Sequence, residues 1–358
     1  MKAAVCRSFG QPLQIEEVTL APPSAGQVHI RVDACAICHS DIAFIDGTFG
    51  GDLPAVYGHE AAGRVIALGE GVSDCAIGDH VIATLMRSCG TCGHCMADHP
   101  TSCSKPYDRM AQSPLRDAAG KQLEHGMAIG AFAQEIVVDQ SQIMAVPAQM
   151  DMDVASLLSC GVITGFGAVT NSARMPRKAR VVVIGAGGVG LNTIQGAALN
   201  GAEQIIAVDL SHDKLDVARD FGATDCLISD GTLVARVMAL TGIGADFVFV
   251  TVGAISAFNI APDLLAPRGE VIIVGMPPVG AKASYQPVNL ASASQAIRGS
   301  KMGETVLARD IPMLLDLYQR GALKLDELIS NRYSLDQINE AIADTKSGNA
   351  KRNVIVFD

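Results

Sequence analysis

The chain has 358 residues, which is enough for two or three domains. Hydrophobic residues make up 49% of it and charged residues 18%, so we expect a sizeable core and no long disordered tract. The net charge of −10 argues against a general nucleic-acid binder, which needs a basic surface, and no apolar run approaches the ~20 residues that span a bilayer. These features predict a cytoplasmic protein with no nucleic-acid and no membrane partner.

Residues 1–161 contain short β-like runs that are broken by glycine, proline and aspartate, which favours an irregular antiparallel barrel. Three segments of this region could contribute metal ligands: Cys35 to Asp41, His59-Glu60, and Cys160. None of them forms a motif by spacing alone, and each taken separately is more often structural. If they meet in space, two thiolates and one imidazole would leave one position of a zinc ion open, as Lewis-acid catalysis requires.

Four further cysteines have the spacing C-x2-C-x2-C-x7-C. In a reducing cytoplasm such cysteines are better explained as thiols or metal ligands than as a disulfide framework. Four thiolates close the tetrahedral shell of zinc, which is typical of a structural site. An iron–sulfur cluster, a redox dithiol and four unrelated core residues are the alternatives. The predicted ligands are Cys89, Cys92, Cys95 and Cys103.

A glycine-rich turn follows the apolar run 181–184 and precedes a helical pattern. The next apolar run, 204–208, ends at Asp209, and this context is the dinucleotide-binding fingerprint. Asp209 would accept hydrogen bonds from ribose hydroxyls and repel a 2′-phosphate, so NAD is favoured over NADP. Within the turn, Gly185 permits the tight bend, Gly187 the approach of the pyrophosphate, and Gly190 close helix–strand packing.

The pattern continues as strands alternating with helices, which predicts a doubly wound parallel sheet. The strands are expected at 225–228, 246–251 and 270–274, and the helices between them at 232–240 and 256–265. In the tail we expect a helix at 306–320, another that begins with a capping box at Ser334 and Gln337, and a last strand at 353–357.

The chain resembles the zinc-dependent medium-chain alcohol dehydrogenases along its whole length. The resemblance rests on five motifs in order: Cys-x-Ser-Asp (38–41), Gly-His-Glu (58–60), the four-cysteine lobe (89–103), Cys-Gly-x-x-Thr-Gly (160–165) and Gly-x-Gly-x-x-Gly (185–190). It implies an α/β protein with a GroES-like irregular β-barrel catalytic domain (1–161), an inserted Rossmann domain (162–297) and a C-terminal segment (298–358) that returns to the catalytic domain. It also implies a homodimer or homotetramer.

The resemblance assigns roles to individual residues. Cys38, His59 and Cys160 would hold a catalytic zinc, with Glu60 behind the metal and Asp41 orienting a ligand. Ser40 would pass the alcohol proton outward, and His39 would face the pyrophosphate or end the proton relay. The cofactor-binding residues would be His39, Thr164, Gly185, Gly187, Gly188, Val189, Gly190, Asp209, Lys214, Val274 and Arg352.

The implied reaction is the NAD-linked, reversible oxidation of an alcohol to an aldehyde or ketone. Leu85, Met276 and Ile297 correspond to positions that line the substrate pocket, so a primary alcohol with an apolar tail is the expected substrate. The alternatives are a polyol, an S-(hydroxymethyl)glutathione adduct, and a non-catalytic, zinc-stabilised NAD-binding protein.

Two positions depart from the family pattern. Many relatives have a histidine, the last station of the proton relay, where this chain has Ala43. The glutathione-using branch has an arginine four positions after the last lobe cysteine, where this chain has Tyr107, and Arg109 and Arg116 are nearby but out of register. The second departure weakens the expectation of a glutathione adduct.

Overall fold

The computed structural model describes residues 1–348 and 350–357. Its strands, in chain order, are β1 (Lys2–Cys6), β2 (Gln14–Leu20), β3 (Gln27–Ala36), β4 (Ala55–Val56), β5 (Glu60–Leu68), β6 (His80–Thr84), β7 (Leu115–Asp117), β8 (Glu124–His125), β9 (Glu135–Asp139), β10 (Ile143–Ala145), β11 (Arg180–Ile184), β12 (Gln204–Asp209), β13 (Asp225–Ile228), β14 (Ala245–Val250), β15 (Leu265–Ile273), β16 (Ala296–Gly299), β17 (Ile329–Ser334) and β18 (Arg352–Val356).

The α-helices are shorter on average in the first part of the chain than in the second. They are α1 (His39–Ile45), α2 (Gly93–Met96), α3 (Met152–Ser156), α4 (Gly161–Gly167), α5 (Gly188–Leu199), α6 (His212–Asp220), α7 (Leu233–Thr241), α8 (Ile255–Ile260), α9 (Pro287–Ala293), α10 (Leu307–Gln319) and α11 (Ile338–Ser347).

The described chain folds into two compact units. The first comprises Met1–Cys160, Val306–Gln319 and Lys324–Asp358, and the second comprises Gly161–Thr305 and Arg320–Leu323. The functional domain bounds expected from the sequence, at 1–161, 162–297 and 298–358, stay a prediction.

The first unit is built on two sheets whose strands are mostly antiparallel. One has the order β7-β2-β1-β4-β8, and the other has the order β10-β6-β5-β3-β18-β17, with β9 also paired to β3. Burial alternates along β3 as far as Val32 and becomes continuous from Ala34, because this end of the strand is covered on both faces. The core around it includes the fully buried rings of Tyr57 and Phe132. The predicted GroES-like, irregular barrel is confirmed.

The second unit contains one six-stranded sheet with the order β13-β12-β11-β14-β15-β16, and every pair in it is parallel. This is the strand order of dinucleotide-binding folds. Val182, Ile206 and Val248 are 0% exposed because helices cover both faces of the central strands. The carboxyl ends of β11, β12 and β14 lie at one edge of the sheet, as in all parallel sheets. The Rossmann prediction is confirmed.

Most predicted elements are present with shifts of one or two residues at their ends, but the strand expected at 270–274 is β15, which begins five residues earlier, at Leu265. The helix expected at 256–265 is wrong in its second half: α8 ends at Ile260, a 3-10 turn with Pro262 follows, and β15 begins at Leu265. The sequence interpretation missed α9 and β16 entirely, because neither has a buried residue and so neither shows an amphipathic period. Among the described residues no single helix has the length and apolar composition to cross a membrane; the bent pair Met152–Ser159 and Gly161–Ser172 meets that test only as a pair.

A left-handed turn after β16 buttresses α4. Met302, Gly303 and Glu304 have φ angles of 51°, 62° and 47°. The carbonyl of Gly303 accepts a hydrogen bond from Asn171 Nδ2 at 3.1 Å, and a Cβ atom at Gly303 would collide with the carbonyl oxygen of Ile163 in α4. Left-handed backbone at non-glycine residues is costly and persists only where packing enforces it.

This packing predicts that Gly303→Ala destabilises the protein by several kcal/mol, since both the φ angle and the backbone contact oppose a Cβ atom. The matched control is Gly321→Ala, which has a φ of 69° and no atom within 4 Å of the new Cβ, so only the left-handed penalty of about 1–2 kcal/mol applies. Thermal unfolding midpoints at fixed zinc and NAD concentrations measure both. Equal shifts for the two variants would contradict the packing argument.

Candidate metal centres and nucleotide site

Strand pairing brings the ligands of the first candidate metal centre together. β3 and β5 are antiparallel neighbours with Ala36 opposite Glu60, so Cys38, just past β3, comes close to His59, just before β5. Cys160 reaches the same point because Ser159 donates its hydroxyl to the Ala61 carbonyl at 2.9 Å. The ligand atoms of Cys38, His59, Glu60 and Cys160 all lie within 4.8 Å of one another, and all four residues are buried.

The carboxylate of Asp41 fixes this geometry. It is 0% exposed and accepts three hydrogen bonds: from the amide of Cys38 at 3.0 Å, from the amide of Gly58 at 3.0 Å, and from His59 Nδ1 at 2.8 Å. Gly58 has a φ of 91°, and a Cβ there would lie 2.5 Å from the Phe132 amide nitrogen. The imidazole is therefore held with Nδ1 on Asp41 and Nε2 free to act as a ligand.

The unpaired atoms of this cluster fit a cation. His59 Nε2 and Glu60 Oε1 are buried and have no hydrogen-bond partner among the described residues. A buried polar atom destabilises the folded state unless it has a hydrogen-bond donor, an acceptor or a cation as a partner. Burial lowers the pKa of His59, but the charges of Asp41 and Cys38 outweigh it and raise that pKa to about 10. The neighbouring side chains of Cys160 and His59 hold the pKa of the Cys38 thiol well below its ordinary value despite burial. Thiolate and imidazole are the donors that zinc prefers, and its binding would displace the proton of His59.

Glu60 is also in contact with a buried arginine. Its Oε2 atom accepts from Arg352 Nη2, and Arg352 is 6% exposed. The guanidinium therefore lies behind the metal cluster, inside the first unit. The pyrophosphate contact expected for Arg352 stays a prediction, as do the roles expected for Ser40, which is half-buried in the first turn of α1, and for His39, which is exposed there.

The second candidate metal centre is the four-cysteine lobe. The sulfur atoms of Cys89, Cys92, Cys95 and Cys103 also lie within 4.8 Å of one another. Backbone amides point at them: Cys92 N lies 3.3 Å from Cys89 Sγ, and Cys89 N lies 3.4 Å from Cys103 Sγ. Hydrogen bonds from the chain lower the pKa of Cys92 to about 5 and that of Cys89 to about 7. A tetrahedral zinc with four thiolate ligands fits this set and leaves no position for substrate.

The glycine-rich turn has the features of a pyrophosphate cradle. Gly185 has a φ of 103°, and a Cβ at Gly190 would collide with the Gly185 carbonyl, whereas the space beside Gly187 is open. Gly187 caps α5, whose first residues are Gly188 and Val189, so the free amides of this helix begin in the turn. Asp209 Oδ2 accepts from the Ala186 amide at 2.8 Å, which places the predicted ribose-binding carboxylate beside the turn.

The other predicted cofactor residues lie in the second unit too, except His39 and Arg352. Thr164 is buried in α4 and lies 3.7 Å from the sulfur of Met302. Val274 is half-buried just after β15, and Lys214 lies in the first turn of α6. Sequence reasoning missed Thr251, whose hydroxyl donates at 3.0 Å to the carbonyls of Ile184 and Gly185 and so holds the turn. Thr251 could have been found from its place at the end of the predicted strand 246–251, because the ends of parallel strands lie at the same sheet edge as the glycine-rich turn.

The predicted substrate residues have different surroundings. Leu85 is half-buried one residue after β6, in the unit that holds both metal clusters. Met276 and Ile297, in the second unit, are 65% and 37% exposed. Their assignment to a substrate pocket stays a prediction.

The two clusters predict two zinc ions per chain. Cys92→Ser should remove one ion and lower stability, and Cys38→Ala should remove the other and abolish turnover while the fold survives. Cys75→Ser is the control, since Cys75 belongs to neither cluster and should leave both ions bound. Elemental analysis of freshly purified, undialysed protein measures the zinc content. One zinc ion or none per unmodified chain would contradict the prediction of two zinc sites.

Comparison with known proteins agrees with this geometry. Residues 24–148 match the model of the alcohol dehydrogenase GroES-like domain, and residues 188–320 match that of the zinc-binding dehydrogenase domain. The chain is 34% identical to S-(hydroxymethyl)glutathione dehydrogenase of Saccharomyces cerevisiae, over 99% of this chain and 96% of the relative.

Two solved structures are similar over the whole chain. An alcohol dehydrogenase zinc-binding domain protein from Burkholderia ambifaria has a TM-score of 0.95 at 34% identity, covering 100% of this chain and 98% of the other. Benzyl alcohol dehydrogenase from Acinetobacter calcoaceticus has a TM-score of 0.93 at 30% identity, covering 100% and 99%. The chain therefore belongs to the zinc-dependent medium-chain alcohol dehydrogenase family.

Proposed function

We propose that the protein oxidises a primary alcohol with an apolar tail to the aldehyde, reversibly and with NAD. The observation that carries the proposal is the buried cluster of two cysteines and one histidine, together with the glycine-rich turn at the sheet edge. When bound, zinc supplies Lewis acidity toward an alcohol or carbonyl oxygen, and the nicotinamide supplies the hydride acceptor.

The chain's own residues prepare this chemistry. Asp41 holds the imidazole of His59 in one orientation, and the burial of Cys38, His59 and Cys160 keeps bulk water away from the reacting oxygen. We infer that the hydroxyl of Ser40, in the first turn of α1, takes the alcohol proton.

The choice of an apolar-tailed alcohol rests on Leu85 and on the benzyl alcohol dehydrogenase among the similar structures. An S-(hydroxymethyl)glutathione substrate is the alternative that the names of the curated relatives favour. A polyol is less favoured, because polyol-oxidising enzymes often have Glu where this chain has Cys160.

A panel of alcohols tests the proposal, with kcat/KM measured for benzyl alcohol, short aliphatic alcohols, a polyol and S-(hydroxymethyl)glutathione. Benzyl or long-chain primary alcohols should rank first. A higher kcat/KM for the glutathione adduct than for any simple alcohol would replace the proposed substrate class with the alternative.

We further propose that the chain forms a homodimer or homotetramer in the cytoplasm. All four residues of β16 are exposed at the edge of the six-stranded sheet, and in the same unit Val279 and Val288 expose 77% and 67% of their surface. Exposed sheet edges and exposed apolar side chains favour association. Ten free cysteines suit a reducing compartment. A monomer mass by light scattering would contradict the association.

Asp209 should set the cofactor preference. We expect NAD to be favoured over NADP by about a hundredfold in kcat/KM, the ~3 kcal/mol of a charged hydrogen bond gained or lost. Asp209→Asn retains an oxygen for the Ala186 amide but removes the charge, so it should narrow this ratio. Asp230→Asn, at an exposed carboxylate of the same unit, is the control for net charge. Comparable kcat/KM for the two cofactors in the unmodified protein would show that Asp209 does not face the ribose.

Ser40→Ala should lower kcat by ~10²–10⁴-fold with both zinc ions retained, since that is the usual contribution of a general acid–base group. Ser40→Thr keeps a hydroxyl and should recover much of the rate. If His39 ends the relay, His39→Gln should slow the reaction near neutral pH and imidazole buffer should partly restore it. If His39 binds phosphate instead, NAD binding should weaken and buffer should have no effect. Full activity of Ser40→Ala would exclude the hydroxyl relay.

A further inference from the structure

An arginine two residues after Leu85 is paired with a carboxylate. Arg87 Nη2 lies 3.0 Å from Asp139 Oδ2, and the guanidinium carbon lies 4.6 Å from the ring centroid of Tyr107. Both partners of the ion pair are 23% exposed. We call Arg87, Tyr107, Asp139 and Ser141 the Arg87 clamp.

Strand pairing limits the distance between the clamp and the buried metal cluster. Thr84 pairs with Glu60 across β6 and β5, and Arg87 follows three residues later. From the spacing of consecutive and paired Cα atoms, the Cα of Arg87 lies within about 17 Å of that of Glu60. The tail of an alcohol whose oxygen is at the metal, together with the long arginine side chain, covers much of this distance.

Hydrogen bonds to Ser141 hold the side chain of Asp139 beside the arginine. Its Oδ1 atom accepts from the amide of Ser141 at 3.0 Å and from the hydroxyl of Ser141 at 2.7 Å. The same hydroxyl accepts from the amide of Ser88 at 3.0 Å, which ties the residue after Arg87 to this turn. The carboxylate of Asp139 is therefore oriented to form the ion pair with Arg87.

Nearby, Arg109 is matched in the same way. Its Nε atom lies 3.0 Å from Glu124 Oε1, and the Glu124 side chain is 2% exposed. Both arginines are therefore already paired with a carboxylate. An anionic substrate would gain no unpaired positive charge from them, and the negative charge of Asp139 would repel it.

We propose that Asp139 is a specificity-determining residue: by neutralising Arg87 it makes the enzyme select neutral alcohols over alcohols with an anionic tail. This rests on the proposed function, whose substrate class it narrows. Removal of the Asp139 charge would leave Arg87 free to bind a carboxylate through charge-assisted hydrogen bonds, and anionic alcohols would become better substrates.

The test compares 4-(hydroxymethyl)benzoate with 4-(hydroxymethyl)benzamide, its neutral near-isostere, in the zinc- and NAD-loaded protein. The unmodified enzyme should prefer the amide in kcat/KM. Asp139→Asn retains an oxygen for Ser141 and should raise the benzoate-to-benzamide ratio by about tenfold, and Arg87→Leu in the same background should return the ratio to its original value. The control is Asp33→Asn, which removes the same charge and frees two other arginines of this unit, Arg31 and Arg64.

Calorimetric binding of the same two compounds separates this inference from the proposed function. If the unmodified protein oxidises neither these compounds nor any alcohol of the panel but Asp139→Asn still gains affinity for the benzoate, the proposed oxidation fails, whereas the exclusion of anionic ligands by Asp139 stands. A preference of the unmodified protein for the benzoate would overturn it. So would equal ratios for Asp139→Asn and Asp33→Asn, or no measurable binding of benzoate to Asp139→Asn.

Discussion

The carboxylate of Asp41 is the interaction on which the first metal cluster depends. Strand pairing between the two ligand-bearing segments extends only as far as Ala36 and Glu60. Asp41 joins the two segments beyond that pairing, because it accepts from the backbone of both and from the imidazole itself. The three donors satisfy this buried carboxylate and hold it in place, so it orients the ring of His59.

Charges around the cluster are matched in pairs. Glu60 contacts Arg352, Arg87 contacts Asp139, and Arg109 contacts Glu124. Burying an unpaired charge costs far more than burying a pair, so each of these charges is tolerated because of its partner. The buried members of these pairs are Glu60, Arg352 and Glu124, whereas Arg87, Asp139 and Arg109 are half-buried.

The sequence predicts the fold, because strand–helix alternation and the glycine-rich turn both produce local patterns of apolar residues and glycines along the chain. It named the cluster of Cys38, His59, Glu60 and Cys160 only through the family resemblance, since these ligands come from three separate segments whose separations along the chain form no motif. The Arg87–Asp139 pair was not predicted because its two residues also come from separate segments of the chain. The elements α9 and β16 were missed because exposed segments have no buried face, and burial is what creates periodicity.

The first unit is assembled from segments that are far apart in the chain. All four ligands of the buried cluster have been synthesised by residue 160, but β18, the partner of β3, and Arg352, the partner of Glu60, come about 190 residues later. At ~5–20 residues per second a ribosome needs ~10–40 s for that interval. During that time the nascent barrel has an open strand edge beside a thiol-rich cluster whose carboxylate has no counter-charge. The order of the chain thus completes the set of metal ligands before the strand that closes the sheet has been synthesised.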